Sequence, residues 1–364
     1  MAALSTQDAT ALASQHTGNF PDLLRQLGCS LLATTFQAGR LILIRPDGAS
    51  LNTHFHAVHR PMGLAADRER IFVGAHNAVL EYRNVPAVAD RLDPPGRHDA
   101  VYLLRNQHVT GHVDIHEMAF AGNECWYVNT LFSCLCTLDN EHSFVPRWKP
   151  SFVSGYAPED RCHLNGLAMQ ERRPKYLTAL GRSNTREGWR ANKRDGGVLL
   201  DHESGEIVAA GLCMPHSPRL YRDRLWLLES GKGSLATVDP ASGRIETVAQ
   251  LPGFTRGLDF IGPIAFVGLS QLRASNPFTD IPLTDENPER SSGIWAVNVE
   301  TGGVIAFLRF SASVEEIFAV QVLPGLVSPH ILDERDPLLD STWAIPNAML
   351  AQVERPPATE TGNT

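Results

Sequence analysis

Three histidines stand beside similar apolar runs at widely separated points of the chain. His116, His163 and His216 each lie one or two positions before such a run. With 14 histidines in 364 residues, this placement is not expected by chance. Imidazole is the commonest side-chain ligand for zinc, iron, copper and nickel, and it is also the usual acid or base near neutral pH. The three histidines are therefore candidates for metal binding or for proton transfer.

The first residues of the apolar runs add complementary chemistry. Six runs are found, and they start at Met62, Glu117, Asn165, Pro218, Arg256 and Glu316. Either Glu117 or Glu316 is expected to act as a general base. Arg256 cannot ligate a metal because guanidinium has no lone pair to give, so together with Arg219 it is expected to orient an anionic substrate.

Two kinds of metal centre are open from these residues. The favoured set holds a divalent metal ion, of the zinc, iron, copper or calcium type, with His116, His163, His216 and Asn165. In the other set, the oxygen atoms of Glu117, Asn165 and Glu316 hold the ion while the histidines act as acid and base. A metal-free polar site and a hydrogen-bonded plug with no catalytic role are the remaining interpretations.

The elements that must position these residues repeat along the chain. Each run is followed by a charged or glycine turn and a second apolar stretch, as in Met62–Val73 and Glu117–Val128. Each interval also holds a third strand that ends in a turn. About four short strands per repeat of roughly 40–50 residues is typical of a propeller blade. Six copies predict an all-β fold, a six-bladed β-propeller, in which the run starts meet around one channel.

The ends of the chain suggest how the ring closes. The last copy is short of strands, and a strand signal between Ser30 and Ile44 precedes the first full copy. We therefore expect an N-terminal strand to join the last blade, which closes the ring and hides an edge. The predicted organisation is a helical or flexible segment over residues 1–27, one propeller over 28–353 and a disordered tail over 354–364.

Composition limits the partners and the compartment. Lys plus Arg is 32 against 40 for Asp plus Glu, a net charge of −8, so no nucleic-acid partner is expected. No stretch approaches the roughly 18 apolar residues that span a bilayer, and the N-terminus lacks the pattern of a secretory signal. Six cysteines without a repeated spacing indicate reduced thiols. We expect a cytoplasmic protein that acts on a small anionic substrate. A protein partner is compatible with this composition.

Two resemblances follow from particular motifs. The run Cys162-His-Leu-Asn-Gly-Leu-Ala168 resembles the six-bladed gluconolactonase, regucalcin and strictosidine-synthase-like superfamily. That resemblance implies that Asn165 binds a catalytic divalent ion and that Glu117 or Glu316 matches the carboxylate ligand. Over nearly the whole chain, segments such as Met214–Arg219 and Leu251–Leu258 resemble an uncharacterised bacterial family of conserved hypothetical β-propeller proteins, which implies no particular reaction.

These observations favour a metal-dependent enzyme that acts on a small anionic substrate at the mouth of the channel. The resemblance favours lactonase-like or esterase-like hydrolysis, although a fold is weak evidence for a reaction. The alternatives are an iron- or copper-dependent oxidative enzyme and a non-catalytic propeller scaffold that binds a peptide or a protein.

Overall fold

The computed structural model describes residues 12–271, 280–286 and 290–354. Its strands form six small sheets, which are the blades of a six-bladed β-propeller. The innermost strand of each blade contacts the innermost strand of the next, so that these strands surround a common channel. The predicted fold class is therefore confirmed.

The first half of the chain builds three blades. Before them lie strand β1 (Ser14–His16) and helix α1 (Phe20–Leu27). Blade 1 contains β2 (Cys29–Thr35), β3 (Arg40–Asp47) and β4 (Ser50–Ala57). Blade 2 contains β5 (Leu64–Ala66), β6 (Arg70–Gly74), β7 (Ala78–Asn84) and β8 (Val101–Val109). Blade 3 contains β9 (Ile115–Ala121), β10 (Glu124–Asn129), β11 (Cys134–Thr137) and β12 (Val145–Trp148).

The second half builds the other three blades and completes the first. Blade 4 contains β13 (Leu164–Gln170), β14 (Arg173–Ala179), β15 (Gly197–Asp201) and β16 (Ile207–Leu212). Blade 5 contains β17 (Pro215–Tyr221), β18 (Arg224–Glu229), β19 (Ser234–Val238) and β20 (Ile245–Gln250). Blade 6 contains β21 (Phe254–Ile261), β22 (Ile264–Ser270), β23 (Ser292–Asn298) and β24 (Val304–Phe310), with helix α2 (Pro282–Glu286) between β22 and β23. The last strands are β25 (Ala319–Pro324) and β26 (His330–Ile331). Short 3₁₀ helices cover Pro86–Arg91, Gly188–Asn192, Pro337–Ser341 and Asn347–Gln352.

The ring is closed by strands from both ends of the chain. Strand β25 is the innermost strand of blade 1 and pairs antiparallel with β2, with Ala319 opposite Thr34. Closure therefore uses three N-terminal strands and one C-terminal strand, where the sequence analysis expected a single N-terminal strand. Strand β1, which was not anticipated, pairs with β24 at the outer edge of blade 6.

The terminal segments are only partly described. Helix α1 accounts for the helical signal expected before residue 28, while residues 1–11 lie outside the described part of the chain. The same holds for residues 355–364 of the predicted tail. None of the helices in the described residues is long and apolar enough to cross a membrane. All six cysteines are buried and none forms a disulfide.

The core lies between neighbouring blades. Strands β2 and β22 are buried at every position, because both faces of these sheets pack against another blade. Outer strands such as β20 expose several residues. The continuous apolar runs of the sequence are therefore strands covered on both faces.

Glycines let the channel strands approach one another closely. A Cβ atom on Gly166 would lie 2.2 Å from Thr178 Oγ1 and 2.3 Å from Pro218 Cδ. Gly257 has a φ of 77°, and its Cβ would lie 2.7 Å from the backbone nitrogen of Val320. Both glycines directly follow a predicted site residue, so the tight packing here fixes where Asn165 and Arg256 lie.

Candidate functional site

The innermost strands bring the predicted site residues to one channel. Glu117, Asn165 and Arg256 lie on β9, β13 and β21, whereas Glu316 precedes β25. At one end of the channel lies a cavity of about 250 Å³, which we call the inner cavity. It is lined by Phe36, Met62, Asp114, His116, His163, Phe254, Arg256, Ser270, Gln271, Glu316 and Phe318.

The predicted residues divide into two groups. His116, His163, Arg256 and Glu316 line the inner cavity. The other four predicted residues are not among its lining residues, and these are Glu117, Asn165, His216 and Arg219. The structure therefore gathers two of the three histidines, one arginine and one glutamate around the space that a ligand could occupy.

The ring of His116 is held by a hydroxyl group. Thr130 Oγ1 donates its hydrogen to the carbonyl oxygen of Leu164 at 2.6 Å and lies 2.8 Å from His116 Nδ1. Because the hydroxyl has one hydrogen, it accepts from Nδ1, which also lies 3.2 Å from the carbonyl oxygen of Asp114. Nδ1 therefore carries the ring hydrogen and Nε2 keeps a free lone pair.

The ring of His216 has the same arrangement one hundred positions later in the chain. Ser230 Oγ donates to the carbonyl oxygen of Thr255 at 2.5 Å and lies 2.9 Å from His216 Nδ1. Nδ1 also lies 3.0 Å from the carbonyl oxygen of Met214. Two different blades thus fix the same tautomer with the same kinds of group, again leaving Nε2 with a free lone pair.

His163 is held by a carboxylate. Its Nδ1 lies 2.8 Å from Asp160 Oδ2, and the same oxygen accepts a hydrogen bond of 3.0 Å from Trp189 Nε1. The Trp189 ring packs against the imidazole with 4.4 Å between centroids, and the His116 ring lies on it edge to face at 4.6 Å. The Asp160 carboxylate therefore orients the ring of His163.

The register of the channel strands differs from the one that the sequence suggested. His116, Asn165 and His216 are each the second residue of their strand. His163 is the residue just before β13 and has a φ of 50°. Asp114 and Met214 occupy the same position before β9 and β17, with φ values of 52° and 51°. Asn165 is therefore the counterpart of His116 and His216, whereas His163 lines the cavity from a different position.

Asn165 keeps a spare hydrogen-bond donor. Its Oδ1 accepts a hydrogen bond of 2.6 Å from Thr178 Oγ1. Its Nδ2 is buried and has no hydrogen-bond partner among the described residues. The amide is therefore held by its oxygen, with its nitrogen unsatisfied.

Burial keeps two of these rings neutral. It lowers the pKa of His116 well below its usual value, and the nearby charges of His163, Arg256 and His216 lower it further. Burial also lowers the pKa of His216, with added contributions from Arg256 and His163. Both rings are neutral at pH 7, so each Nε2 has a lone pair that is available to accept a hydrogen bond.

Arg256 places a buried positive charge on the cavity wall. Its Cζ lies 3.5 Å above the centroid of the Phe318 ring, and its Nη1 lies 3.6 Å from Glu316 Oε1. Burial lowers the pKa of Arg256 to about 10, against the opposing effect of Glu316, so the guanidinium remains charged at neutral pH. A buried guanidinium with one long ion pair is suited to binding a carboxylate or a phosphate.

Deeper in the channel, Glu117 and Arg219 bind each other. Arg219 donates to both carboxylate oxygens of Glu117, at 2.9 and 3.2 Å. The buried carboxylate of Asp259 adds negative charge beside Arg219 and accepts a hydrogen bond of 2.7 Å from the backbone nitrogen of Val322. Burial raises the pKa of Glu117, while the arginine opposes this effect. For these two residues the geometry favours a plug that seals the channel, and their predicted catalytic roles remain untested.

The channel histidines offer donor atoms of the kind that the predicted metal centre needs. The free Nε2 atoms of His116, His163 and His216 are of the type that binds zinc, iron or copper. However, in the parts of the chain that the structure describes, no three side chains of His, Cys, Asp or Glu are arranged to hold a metal ion. The metal centre stays a prediction.

A second, wider space adjoins the first. This outer cavity has a volume of about 800 Å³ and shares Phe36, Gln271 and Glu316 with the inner cavity. Its wall includes His59, the fourth histidine near a run start, whose exposed ring lies 5.1 Å from that of His76. His59 thus lies at the entrance and not at the channel axis.

Sequence analysis missed the residues that hold the rings. Thr130 and Ser230 each lie fourteen positions after the histidine that they contact, and this repeated spacing is a signal that could have found them. Asp160 lies three positions before His163, which is a common spacing and carries little information alone.

Together the fold and the site define a class of protein, a six-bladed β-propeller whose channel ends in a small cavity lined by histidine and arginine. Within this class, the chain belongs to the family described as a domain of unknown function (DUF4915), which matches residues 18–332. No curated protein matches the chain. The match therefore identifies the family but assigns no reaction to it.

Solved structures agree with the fold. A chain in the crystal structure of a nidogen/laminin complex has a TM-score of 0.52 and 10% identity, with 82% of this chain and 99% of that chain covered. A protein of unknown function from Bacteroides caccae has a TM-score of 0.50 and 9% identity, with 81% and 98% covered. At such identities the likeness concerns the fold alone.

Proposed function

We propose that the protein is a hydrolase that opens an ester or lactone bond of a small anionic substrate in the inner cavity. The observation that carries the proposal is the His163–Asp160 pair, with its 2.8 Å hydrogen bond at the wall of the cavity that also holds Arg256. A base and an anion-binding group therefore lie on the same small space.

The proposed reaction uses these groups in order. Arg256 binds the anionic group of the substrate, in competition with Glu316. Nε2 of His163 removes a proton from a water molecule, whose oxygen adds to the carbonyl carbon. The resulting imidazolium is stabilised by Asp160 and returns the proton to the departing alkoxide as the carbon–oxygen bond breaks. One water is consumed; an ester gives a carboxylic acid and an alcohol, and a lactone gives a single hydroxy acid.

The other histidines support binding in this proposal. His116 is neutral and lines the cavity, so its Nε2 can accept a hydrogen bond from a hydroxyl group of the substrate or from the attacking water. The cavity of about 250 Å³ limits the group that enters to a small one, while the outer cavity accommodates the rest of a longer substrate. The resemblance of Cys162–Ala168 to lactonase-type propellers supports the choice of reaction.

A chromogenic ester that carries a carboxylate, such as 4-nitrophenyl hemisuccinate, together with a panel of carboxylated lactones, tests the proposal. We expect hydrolysis by the wild-type protein and its loss in His163→Gln and Asp160→Asn. The matched controls are His142→Gln and Asp139→Asn, because this pair has the same spacing, the same atoms and the same 2.8 Å distance on the exposed surface. Equal rates in the wild type and in His163→Gln would contradict the proposal.

The metal-dependent form of the proposal uses the same nitrogen atoms. Elemental analysis of the purified protein, of His163→Ala and of His216→Ala separates the two forms. Stoichiometric metal that disappears in both variants supports a metal-dependent enzyme. Hydrolysis by metal-free protein supports the form that uses protein groups alone. Metal-free protein that hydrolyses nothing and binds a peptide would support the scaffold alternative.

A further inference from the structure

A second group of three histidines lies at the outer rim, far along the blades from the channel strands. His54 is on β4, the outermost strand of blade 1, His98 precedes β8, and His330 is on β26 at the outer edge of blade 2. The ring of His330 lies 5.1 Å from that of His54 and 4.8 Å from that of His98, on which it is stacked. We call these three residues the rim cluster.

The rim cluster joins the C-terminal segment to the propeller. After β25 the chain leaves the channel and follows the edge of blades 1 and 2 over residues 327–354, a segment that we call the strap. Its strand β26 pairs with only two residues of β8. The strap is therefore attached to the ring by a short strand and by side chains.

Several side-chain contacts hold the first part of the strap. Asp99 Oδ2 accepts hydrogen bonds from the backbone nitrogens of Val327 and Ser328, the latter at 2.9 Å. His98 Nδ1 donates to the carbonyl oxygen of Ser328 at 2.9 Å, and Arg45 donates to that of Pro329. His98 therefore carries its hydrogen on Nδ1 and has a free Nε2.

The strap packs on the propeller at this point and again over Pro337–Ser341, where Leu338 and Leu339 contact the apolar cluster of Leu332 and Arg91 donates to Ser341 and Thr342. Ile331 and Leu332 are buried, and Leu332 packs in a small apolar cluster with Val101 and Leu103. Further along, Trp343 is 76% exposed and Leu350 is 54% exposed. Since the end of the strap buries little apolar surface, the strap is attached by the contacts around the rim cluster and by those of Arg91.

The surroundings of His330 disfavour an added proton. His330 Nδ1 is buried without a hydrogen-bond partner among the described residues. A proton on His330 would place a cation beside the imidazoles of His54 and His98 and beside the guanidinium of Arg45. The charged and titratable groups that face the cluster are Arg45 and Asp47 from β3, His56 from β4, Arg97 and Asp99 from the segment before β8, and Asp333 from the strap.

We propose that the rim cluster is an acid-released clasp, which holds the strap on blades 1 and 2 when its imidazoles are neutral and frees it when they take up protons. The partner that drives the release is the proton itself. The released strap exposes the outer edge of β8 together with the apolar cluster beneath Leu332.

The pKa values set the pH window. Burial lowers the pKa of His54 to about 4 and that of His330 to about 3, and in each case neighbouring cations and imidazoles add to the effect. When the strap opens, each ring regains its ordinary pKa of about 6.5. The open state therefore binds more protons between about pH 6.5 and pH 4. The clasp is stable above pH 6.5 and weakens as the pH falls through this window.

The size of the effect follows from the same values. For a ring with a pKa of about 4 when closed and about 6.5 when open, a fall from high pH to pH 5 favours opening by about thirtyfold. A second ring multiplies this factor, so opening of the strap at pH 5 is expected to increase by at least thirtyfold.

Hydrogen exchange of the full-length protein at pH 7.5 and pH 5, corrected for the intrinsic pH dependence of exchange, tests the clasp. The amides of Ser328, His330 and Leu332 donate to the propeller and report on the strap, while β25 serves as the internal control. We expect at least thirtyfold faster opening of the strap at pH 5 with no change in β25. An unchanged strap, or an equal increase in β25, would overturn the proposal.

Two variants make the test independent of simple unfolding. His54→Gln keeps a polar side chain of similar reach and removes one titrating group, so the pH dependence of strap opening should become shallower by about one proton. His142→Gln removes an exposed histidine elsewhere on the surface and should leave the pH dependence unchanged. An identical slope in the wild type and in His54→Gln would exclude this residue from the clasp and contradict the proposal.

Discussion

The channel and the rim each hold a group of histidines, buried at His116 and His216 and half-buried at the rim, and the two groups differ in what surrounds the rings. In the channel, His116 and His216 each have a hydroxyl and a carbonyl acceptor at Nδ1. At the rim, His330 packs against other imidazoles and has a buried Nδ1 with no partner among the described residues. Burial lowers the pKa in both places.

The difference shows that the same pKa shift has two consequences, depending on what holds the ring. His116 and His216 can lose their Nδ1 partners only if neighbouring blades separate, which requires much of the ring to unfold. A rim histidine reaches solvent when one short strand detaches, at a much smaller cost in free energy. Rigid surroundings therefore keep an imidazole neutral and in one orientation. Where the surroundings detach easily, the contacts of the imidazole depend on pH.

The largest expected effect separates the two groups by activity. His163→Gln should lower kcat/KM for the carboxylated ester about 10²- to 10⁴-fold, because the general base is lost. His330→Gln should leave kcat/KM within about twofold, because the rim does not touch the inner cavity. Steady-state kinetics of both variants beside His142→Gln check this. Equal losses in the two variants would remove the functional distinction between channel and rim.

The next effect concerns the rigidity of the channel. Arg219→Met leaves the carboxylate of Glu117 buried without its bidentate partner and should lower the free energy of unfolding by about 3–5 kcal/mol. The double variant Glu117→Leu, Arg219→Met should recover most of that loss, since no buried charge remains. Urea denaturation of the three proteins measures both values. Full stability in Arg219→Met would show that the channel is not fixed by this plug.

A smaller effect is expected from the groups that hold the rings. Thr130→Val removes the hydroxyl between His116 and the carbonyl oxygen of Leu164, which should lower the free energy of unfolding by about 1–2 kcal/mol. His98→Gln at the rim should change global unfolding by less than that, because the strap opens separately. The same urea experiment compares them, and a larger loss in His98→Gln would reverse the proposed roles of the two regions.

The smallest effect is on substrate affinity. Glu316→Gln removes the carboxylate that lies 3.6 Å from Arg256, so an anionic substrate no longer competes with it. We expect KM for the carboxylated ester to fall about threefold, with kcat little changed. The effect is small because a partly exposed ion pair is worth about 1 kcal/mol or less. A rise in KM would indicate that Glu316 binds the substrate directly.

Much of the fold could be predicted from the sequence because each blade repeats a local pattern. Apolar runs separated by turns at similar intervals are enough to predict six blades and a common channel. Strand β2 pairs with β25, and β1 pairs with β24. Each of these two pairings joins residues almost three hundred positions apart. Such pairings leave no local signal, so the sequence predicted that an N-terminal strand joins the last blade but not that three N-terminal strands share that blade with β25.

The site could be predicted only in outline, because register depends on irregularities that the sequence does not reveal. Pairing shifts occur between Leu164 and Gly166 in blade 4 and between His216 and Arg219 in blade 5. A shift of one residue moves a side chain to the other face of a strand. Aligning the apolar runs therefore grouped His163 with His116, although the structural counterpart of His116 is Asn165.

The tautomers of the channel histidines are the most direct test of the central claim, and they can be measured without a substrate. Nitrogen NMR of the imidazoles, with rings assigned through single His→Gln variants, should show hydrogen on Nδ1 and a bare Nε2 for His116 and His216 at pH 7. The signals of His116 and His216 should remain those of a neutral ring at pH 5.5. Hydrogen on Nε2, or protonation of His116 and His216 at that pH, would contradict the account of the channel as a prepared site.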